Sequence, residues 1–184
     1  MGIFELIFIA VGLSLGSLAA SLSAGVHERI LFKKGFRIAF VFALFQIVMS
    51  VLGWLAGFSL NSFIGFYLLW FSFSIIFIIG LKMIFEAIKV NPDERKFDLS
   101  QNSVLILLAI ASAIDAFIVG ISFGFLNSNI IYSAIIIGIL TFIFSLGGFF
   151  LGNLNRFAKP RVARFLGGLI LIFIAIKILI ENHN

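Results

Sequence analysis

The sequence contains no cysteine and little charge, and each shortage excludes a class of function. Without a thiol the chain has no disulfide, no thiolate metal site and no cysteine nucleophile. Charged residues make up 11% of the 184 residues and hydrophobic residues 62%, whereas soluble domains carry about 25% charged residues. These proportions exclude an ordinary soluble enzyme, a disordered regulator and a secreted disulfide-rich domain, and they predict an integral membrane protein.

Long uncharged runs predict where the chain crosses the membrane. Residues 38–81 and 116–155 contain no charged side chain, and each run can cross twice because one helix needs about 20 residues to span about 30 Å of hydrocarbon. Polar residues interrupt the first run at 59–62 and the second at 127–129. The predicted fold is all-α, with no room for a soluble catalytic domain and therefore no expected enzyme activity. Its six transmembrane helices are expected near residues 3–24, 36–58, 63–88, 103–126, 130–152 and 163–181.

Basic residues lie in alternate connections between these helices. Lysines and arginines follow the first, third and fifth helices, and none occurs in the second connection, the fourth connection or the N-terminal tail. The positive-inside rule then makes the odd connections cytoplasmic and leaves both termini outside. The same residues account for the net charge of +5, so the expected partner is anionic membrane lipid and not nucleic acid.

An internal repeat divides the chain into two halves. The pattern Lys-x-x-x-Glu occurs at 82–86 and again 95 residues later at 177–181. The predicted domains are a first three-helix repeat (1–90), a charged cytoplasmic linker (91–102) and a second three-helix repeat (103–184). Because each repeat has three spans, the second must enter the membrane in the opposite orientation. Inverted repeats are typical of secondary transporters, in which substrate binds between the halves and one half rocks against the other.

One acidic residue lies deep in the predicted membrane region. Asp115 is about 18 Å along the fourth helix, near the bilayer centre, where an aspartate costs about 2.5 to 3.5 kcal/mol to insert. Such a residue faces the bundle interior and marks a candidate functional site. Two structural interpretations stay open: an ion pair with Lys82 or Lys177, and a protonated carboxyl group bonded to a hydroxyl. The lysines themselves are interpreted as i,i+4 partners of Glu86 and Glu181 near helix ends.

Neutral oxygen groups accompany this aspartate. Ser112 lies one turn before Asp115 on the same helical face. Gln46 and Thr141 occupy equivalent positions in the middle of the second and fifth helices. Carboxylate, amide and hydroxyl oxygens suit a hard divalent cation such as manganese or magnesium. The predicted metal ligands are therefore Asp115, Gln46, Ser112 and Thr141, with the metal as substrate and no resident cofactor.

Three segments carry a resemblance to a known family. Residues 111–120 (ASAIDAFIVG), 45–54 (FQIVMSVLGW) and 80–86 (GLKMIFE) are similar to the manganese efflux pump (MntP) family of the LysE exporter superfamily. The resemblance extends over nearly the whole chain. It implies a six-helix pump of the bacterial inner membrane that exports manganese by alternating access, with intramembrane aspartates as its cation site.

The sequence departs from the family pattern at two positions. The family carries the aspartate motif in both halves, but here Gly16 occupies the first position, and Ser50 replaces the proline of a Met-Pro pair. One carboxylate leaves a dehydrated divalent ion with uncompensated charge. Another small ion or solute as substrate, a non-transporting scaffold or assembly protein, and a homodimer that supplies the second carboxylate all stay open.

Overall fold

The computed structural model describes residues 3–27, 32–64, 68–89, 102–126, 128–154 and 160–181. Within these ranges it describes all side chains except those of residues 27, 60–64, 68, 69 and 181. All of the described chain except residues 126, 128 and 129 is helical, which confirms the prediction of an all-α protein. The helices are α1 Ile3–His27, α2 Phe32–Ile64, α3 Leu68–Lys89, α4 Asn102–Phe125, α5 Ile130–Leu154 and α6 Pro160–Glu181.

All six helices are long and apolar enough to cross a membrane. Their positions agree with the predicted ones to within a few residues except between α2 and α3, where the predicted break at 59–62 is wrong and α3 begins at Leu68 instead of residue 63. The helix continues through those residues to Ile64. Ser59 shows why a polar residue does not end it, since its Oγ donates a 2.8 Å hydrogen bond to the carbonyl of Leu55, which satisfies the hydroxyl within the helix.

The bundle has a mainly apolar interior that also contains buried polar side chains, and its outer surface is apolar. Serine hydroxyls from α1, α2, α3, α4 and α5 are buried, together with Gln46 and Thr141. Large apolar side chains cover the outer surface, as expected for helices surrounded by lipid. Examples of these exposed side chains on five different helices are Phe40, Leu52, Ile78, Leu107, Ile139 and Phe173.

Glycines bring α2 and α4 into backbone contact. A Cβ atom at Gly57 would collide with the carbonyl of Ile121, and one at Gly124 would lie 2.5 Å from the carbonyl of Trp54. Only residues without a side chain allow two helices to approach so closely. Residue numbers rise together along this contact, since Gly120 lies against Ser50 and Gly124 against Gly57. The two helices, which come from different halves of the sequence, therefore run in the same direction.

The contact between α1 and α5 has the same construction. A Cβ atom at Gly148 would lie 2.7 Å from the carbonyl of Leu18, and one at Gly152 would collide with the carbonyl of Leu22. These helices also come from different halves and run in the same direction.

The helices α3 and α6 meet in the opposite sense. Gly80 lies against Gly168 and Ile172, whereas Gly168 also lies against Ile84, so these two helices are antiparallel. Each of the three pairings joins one helix from each half, and exchange of the halves turns the α1–α5 pairing into the α4–α2 pairing. The predicted inverted repeat requires these directions, and the repeat itself stays a prediction.

Candidate functional site

Asp115 of α4 forms an ion pair with Lys82 of α3. The Lys82 Nζ atom lies 2.6 Å from Asp115 Oδ1, a distance typical of a charge-assisted hydrogen bond. The aspartate side chain is 14% exposed and the lysine side chain 40%, so the carboxylate is in the bundle while the lysine reaches it from a more open position. One of the two structural interpretations of Asp115, an ion pair with a lysine, is therefore the arrangement in this structure.

Two further charged residues extend this pair across α3 to α6. The Lys82 Nζ atom lies 3.8 Å from Glu86 Oε1, as the i,i+4 spacing predicts. Arg164 places its Nη1 atom 3.4 Å from Glu86 Oε2. The four residues, here called the charge cluster, carry two positive and two negative charges. The carboxylate of Asp115 is thus already neutralised by the protein when no metal ion is bound.

Two hydroxyls of α1 contact the predicted serine and threonine ligands. Ser17 Oγ lies 3.2 Å from Ser112 Oγ of α4, and Ser14 Oγ lies 3.2 Å from Thr141 Oγ1 of α5. Because Ser14 donates its proton to the carbonyl of Ala10 at 2.6 Å, Thr141 is the donor to Ser14. The first helix therefore joins both predicted ligands through hydroxyls that are one turn apart.

Gln46 of α2 differs from the other predicted ligands because its side chain is buried without a partner. It is 1% exposed, and within the described part of the chain neither Oε1 nor Nε2 has a hydrogen-bond partner. An unpaired buried polar group costs about 1 to 3 kcal/mol. An amide kept in this state is a candidate for binding a ligand or water.

The four predicted ligands lie at a similar level of the bundle. Ser50 of α2 is adjacent to Gly120 of α4, and these helices run in the same direction, so Gln46 lies level with the residue next to Asp115. Ile47 packs against Gly138 of α5, one turn before Thr141. Asp115, Gln46, Ser112 and Thr141, together with Ser14 and Ser17, are called the polar layer below. In this structure each predicted ligand has a separate environment: Asp115 contacts Lys82, the two hydroxyls contact α1, and Gln46 is unpaired.

The position equivalent to Asp115 in the first half has no acid. A Cβ atom at Gly16 would have Met83 Cε as its nearest described neighbour, at 3.8 Å, which is an ordinary van der Waals distance. Lys177, the equivalent of Lys82, instead places its Nζ atom 3.6 Å from Glu5 Oε1 at the start of α1. The predicted pair of Lys177 with Glu181 lies outside the described side chains.

Sequence reasoning missed the roles of Glu5 and Arg164. Glu5 is an acid in the first turn of α1, and its side chain is only 8% exposed. Arg164 is one of the basic residues that predict orientation, and its contact with Glu86 depends on how α6 packs against α3. The Lys-x-x-x-Glu repeat is the sequence signal that pointed to the lysines and to Glu86, but it did not indicate their contacts with Glu5 and Arg164. Among the described residues no three histidine, aspartate or glutamate side chains form a cluster suited to a metal ion.

Comparison of the sequence with known proteins relates this chain to membrane transporters. The family model described as "Putative manganese efflux pump" matches residues 29–179. The chain is 43% identical over 176 residues to the "Putative manganese efflux pump MntP" of Methanosarcina barkeri, with 95% of this chain and 94% of the relative covered. It is 37% identical over 183 residues to the protein of the same name from Crocosphaera subtropica, with 99% and 97% covered. No solved structure matches.

Proposed function

This chain belongs to the Mntp family, and from that premise we propose that it exports Mn²⁺ across the membrane by alternating access. The family is one of membrane transporters, which is not a class of enzymes, and the six apolar helices make the chain a multi-pass membrane protein. The observation that carries the proposal is Asp115, a carboxylate inside the bundle whose lysine partner comes from the other half of the sequence.

The polar layer is the proposed cation site. Asp115 would supply the charged ligand, and Gln46, Ser112 and Thr141 would supply neutral oxygen ligands. The unpaired amide of Gln46 supports this assignment because it has an oxygen free to coordinate. Since one carboxylate balances half of the charge of Mn²⁺, the proposal also requires that the ion keep part of its water shell or that a second chain contribute an acid.

The orientation of the protein is part of the proposal. We place it in the bacterial inner membrane with both termini outside and with the basic connections and the linker at 91–102 in the cytoplasm. The directions of the paired helices are compatible with this topology. Because the chain has no cysteine, a single cysteine introduced at the N-terminus tests it by reaction with a membrane-impermeant maleimide on intact cells, and absence of labelling would contradict it.

Asp115→Asn is the variant that tests the proposed function. It keeps the size of the side chain and one accepting oxygen, and it removes the negative charge that would hold the cation. We expect the wild-type protein to protect manganese-sensitive cells from added Mn²⁺ and the variant to lose that protection completely while reaching the membrane in the same amount. Radioactive Mn²⁺ uptake into inverted membrane vesicles measures the same loss directly.

Glu5→Gln is the matched control for this experiment. It also removes a buried carboxylate paired with a lysine, but its residue lies in the first turn of α1, about 16 Å of helix away from position 16. We expect it to keep protection. Full protection by Asp115→Asn would refute the proposal, and transport of another ion by the wild-type protein without Mn²⁺ transport would favour a different substrate.

A further inference from the structure

Lys82 occupies the carboxylate that the proposed function assigns to the transported ion. Its ammonium group is 2.6 Å from Asp115 Oδ1, within the space in which a cation bound to that oxygen would lie. Mn²⁺ and an ammonium group repel each other strongly at such distances inside a protein. The ion therefore cannot bind to Oδ1 of Asp115 as an inner ligand unless Lys82 moves away.

The charge cluster contains a second acceptor for the same ammonium group. Glu86 Oε1 is 3.8 Å from Lys82 Nζ, one helical turn along α3. Lysine has a long flexible stem and three rotatable donors, and the Lys82 side chain is 40% exposed. It can thus turn from Asp115 to Glu86 through a side-chain rotation, without a change in the backbone of α3.

We propose that Lys82 is a tethered competitor of the transported cation, which yields Asp115 to the ion by moving onto Glu86 and expels the ion when it returns. This inference rests on the proposed function and adds a residue to it. Binding of Mn²⁺ would convert a neutral charge cluster into one of net charge +2. That excess makes the bound state temporary, which is a requirement for an exporter because the ion has to leave the site.

The arrangement in the other half restricts this proposed role to Lys82. Lys177 is the equivalent residue, but its partner is Glu5 near the end of α1, at 3.6 Å, and the position equivalent to Asp115 is Gly16. Lys177 therefore does not occupy a carboxylate of the polar layer. This difference supplies a lysine that can serve as an internal control.

Mn²⁺ binding to the purified full-length chain, measured by isothermal titration calorimetry, tests the proposal. We expect Lys82→Gln to lower the dissociation constant at least about tenfold, which corresponds to about 1.4 kcal/mol, because the competitor is gone. Vesicle transport by the same variant should become slower, since the ion is released less readily. If Lys82 only stabilised the fold, Lys82→Gln would lower both the affinity for Mn²⁺ and the rate of transport.

Three further variants separate competition from structural effects. Lys177→Gln should leave the dissociation constant unchanged, and Lys82→Arg, which keeps the positive charge, should not produce the gain. Glu86→Gln removes the alternative acceptor and should weaken Mn²⁺ binding even if Lys82→Gln does not fold. If Glu86 were only a surface partner of Arg164, that variant would bind Mn²⁺ like the wild type.

The outcomes distinguish this inference from the proposed function. If the wild-type protein shows no Mn²⁺ binding that depends on Asp115, the proposed function and the role of Lys82 fail together. If the wild type binds Mn²⁺ through Asp115 but Lys82→Gln binds no more tightly, only the competitor role is overturned. Tighter binding by Lys82→Gln that disappears in the double variant with Asp115→Asn supports both.

Discussion

The two halves of the molecule share their packing but differ in where they hold a carboxylate. In both halves a lysine near the end of the third helix pairs with an acid on the first helix of the opposite half. In one case that acid is Asp115 in the polar layer, and in the other it is Glu5 in the first turn of α1. Each half thus contributes one lysine to a lysine–carboxylate pair, but only the pair of Lys82 with Asp115 lies at the proposed cation site.

The glycine contacts between the halves provide the largest expected effect. Alanine at Gly57 or at Gly152 would drive a methyl group into a carbonyl of the facing helix, and overpacking of this kind costs about 1 to 3 kcal/mol. We expect both variants to lower the free energy of unfolding in detergent by similar amounts, because the two positions are separated by the same 95 residues as the Lys-x-x-x-Glu repeat and both face a carbonyl. Steric trapping or thermal unfolding in micelles measures the loss.

Gly147→Ala is the control for these substitutions because it lies on the same helix as Gly152. No described atom lies within 4 Å of the added Cβ atom, and alanine favours a helix by up to about 1 kcal/mol over glycine. Its stability should be unchanged or slightly higher. Destabilisation by only one of Gly57→Ala and Gly152→Ala would show that the halves do not pack equivalently.

A second carboxylate at position 16 would remove the main difference between the halves. Gly16→Asp has room for its Cβ atom beside Met83 and would place an acid at the position equivalent to Asp115. We expect the affinity for Mn²⁺ to rise about tenfold, or about 1.4 kcal/mol, because the second negative charge balances the ion. Calorimetry of the purified variant measures this change.

Gly16→Ala separates the charge from the added bulk. It fills the same space without an acid and should bind Mn²⁺ like the wild type. An unchanged affinity in Gly16→Asp would mean that Asp115 and its neighbours determine binding alone. Manganese export found only in Gly16→Asp, and not in the natural chain, would instead favour a protein that has lost this transport activity.

The smallest expected effects come from the equivalent residues Gln46 and Thr141. Gln46→Met removes an unpaired buried amide and should raise the free energy of unfolding by about 1 kcal/mol, while it weakens Mn²⁺ binding. Thr141→Val removes the hydrogen bond to Ser14 and should lower the stability by about 1 kcal/mol. Opposite signs for the two variants in chemical unfolding are the expected result. Equal destabilisation would contradict the unpaired state of Gln46.

The sequence was sufficient for the helices and for the aspartate, but not for its partners. Long uncharged runs determine the spans because lipid requires them, and a lone acid within such a run stands out. The break at 59–62 was predicted wrongly because a serine can bond to its own helix, as Ser59 does. The choice of Lys82 over Lys177 as the partner of Asp115 depends on which helices pack together, and no local pattern contains that information.

The environment of Gln46 also could not be predicted from the sequence. Its position in the middle of a helix suggested an oxygen ligand, but its lack of a hydrogen bond depends on how the helices pack around it in three dimensions. The pairing of Glu5 with Lys177 has the same origin, since the two residues are at opposite ends of the chain and meet only after α1 packs against α6.

The backbone contacts between helices of different halves restrict how the protein can move. Separation of residues 3–89 from 102–181 as two rigid bodies would pull apart the glycine–carbonyl contacts of α2 with α4 and of α1 with α5. A displacement of the α1–α5 pair relative to the α2–α4 pair would leave all of these contacts intact. If the proposed transport cycle moves these helices, the glycine contacts favour mixed pairs from both halves as the units that move, and a disulfide engineered within one such pair is expected to leave transport intact.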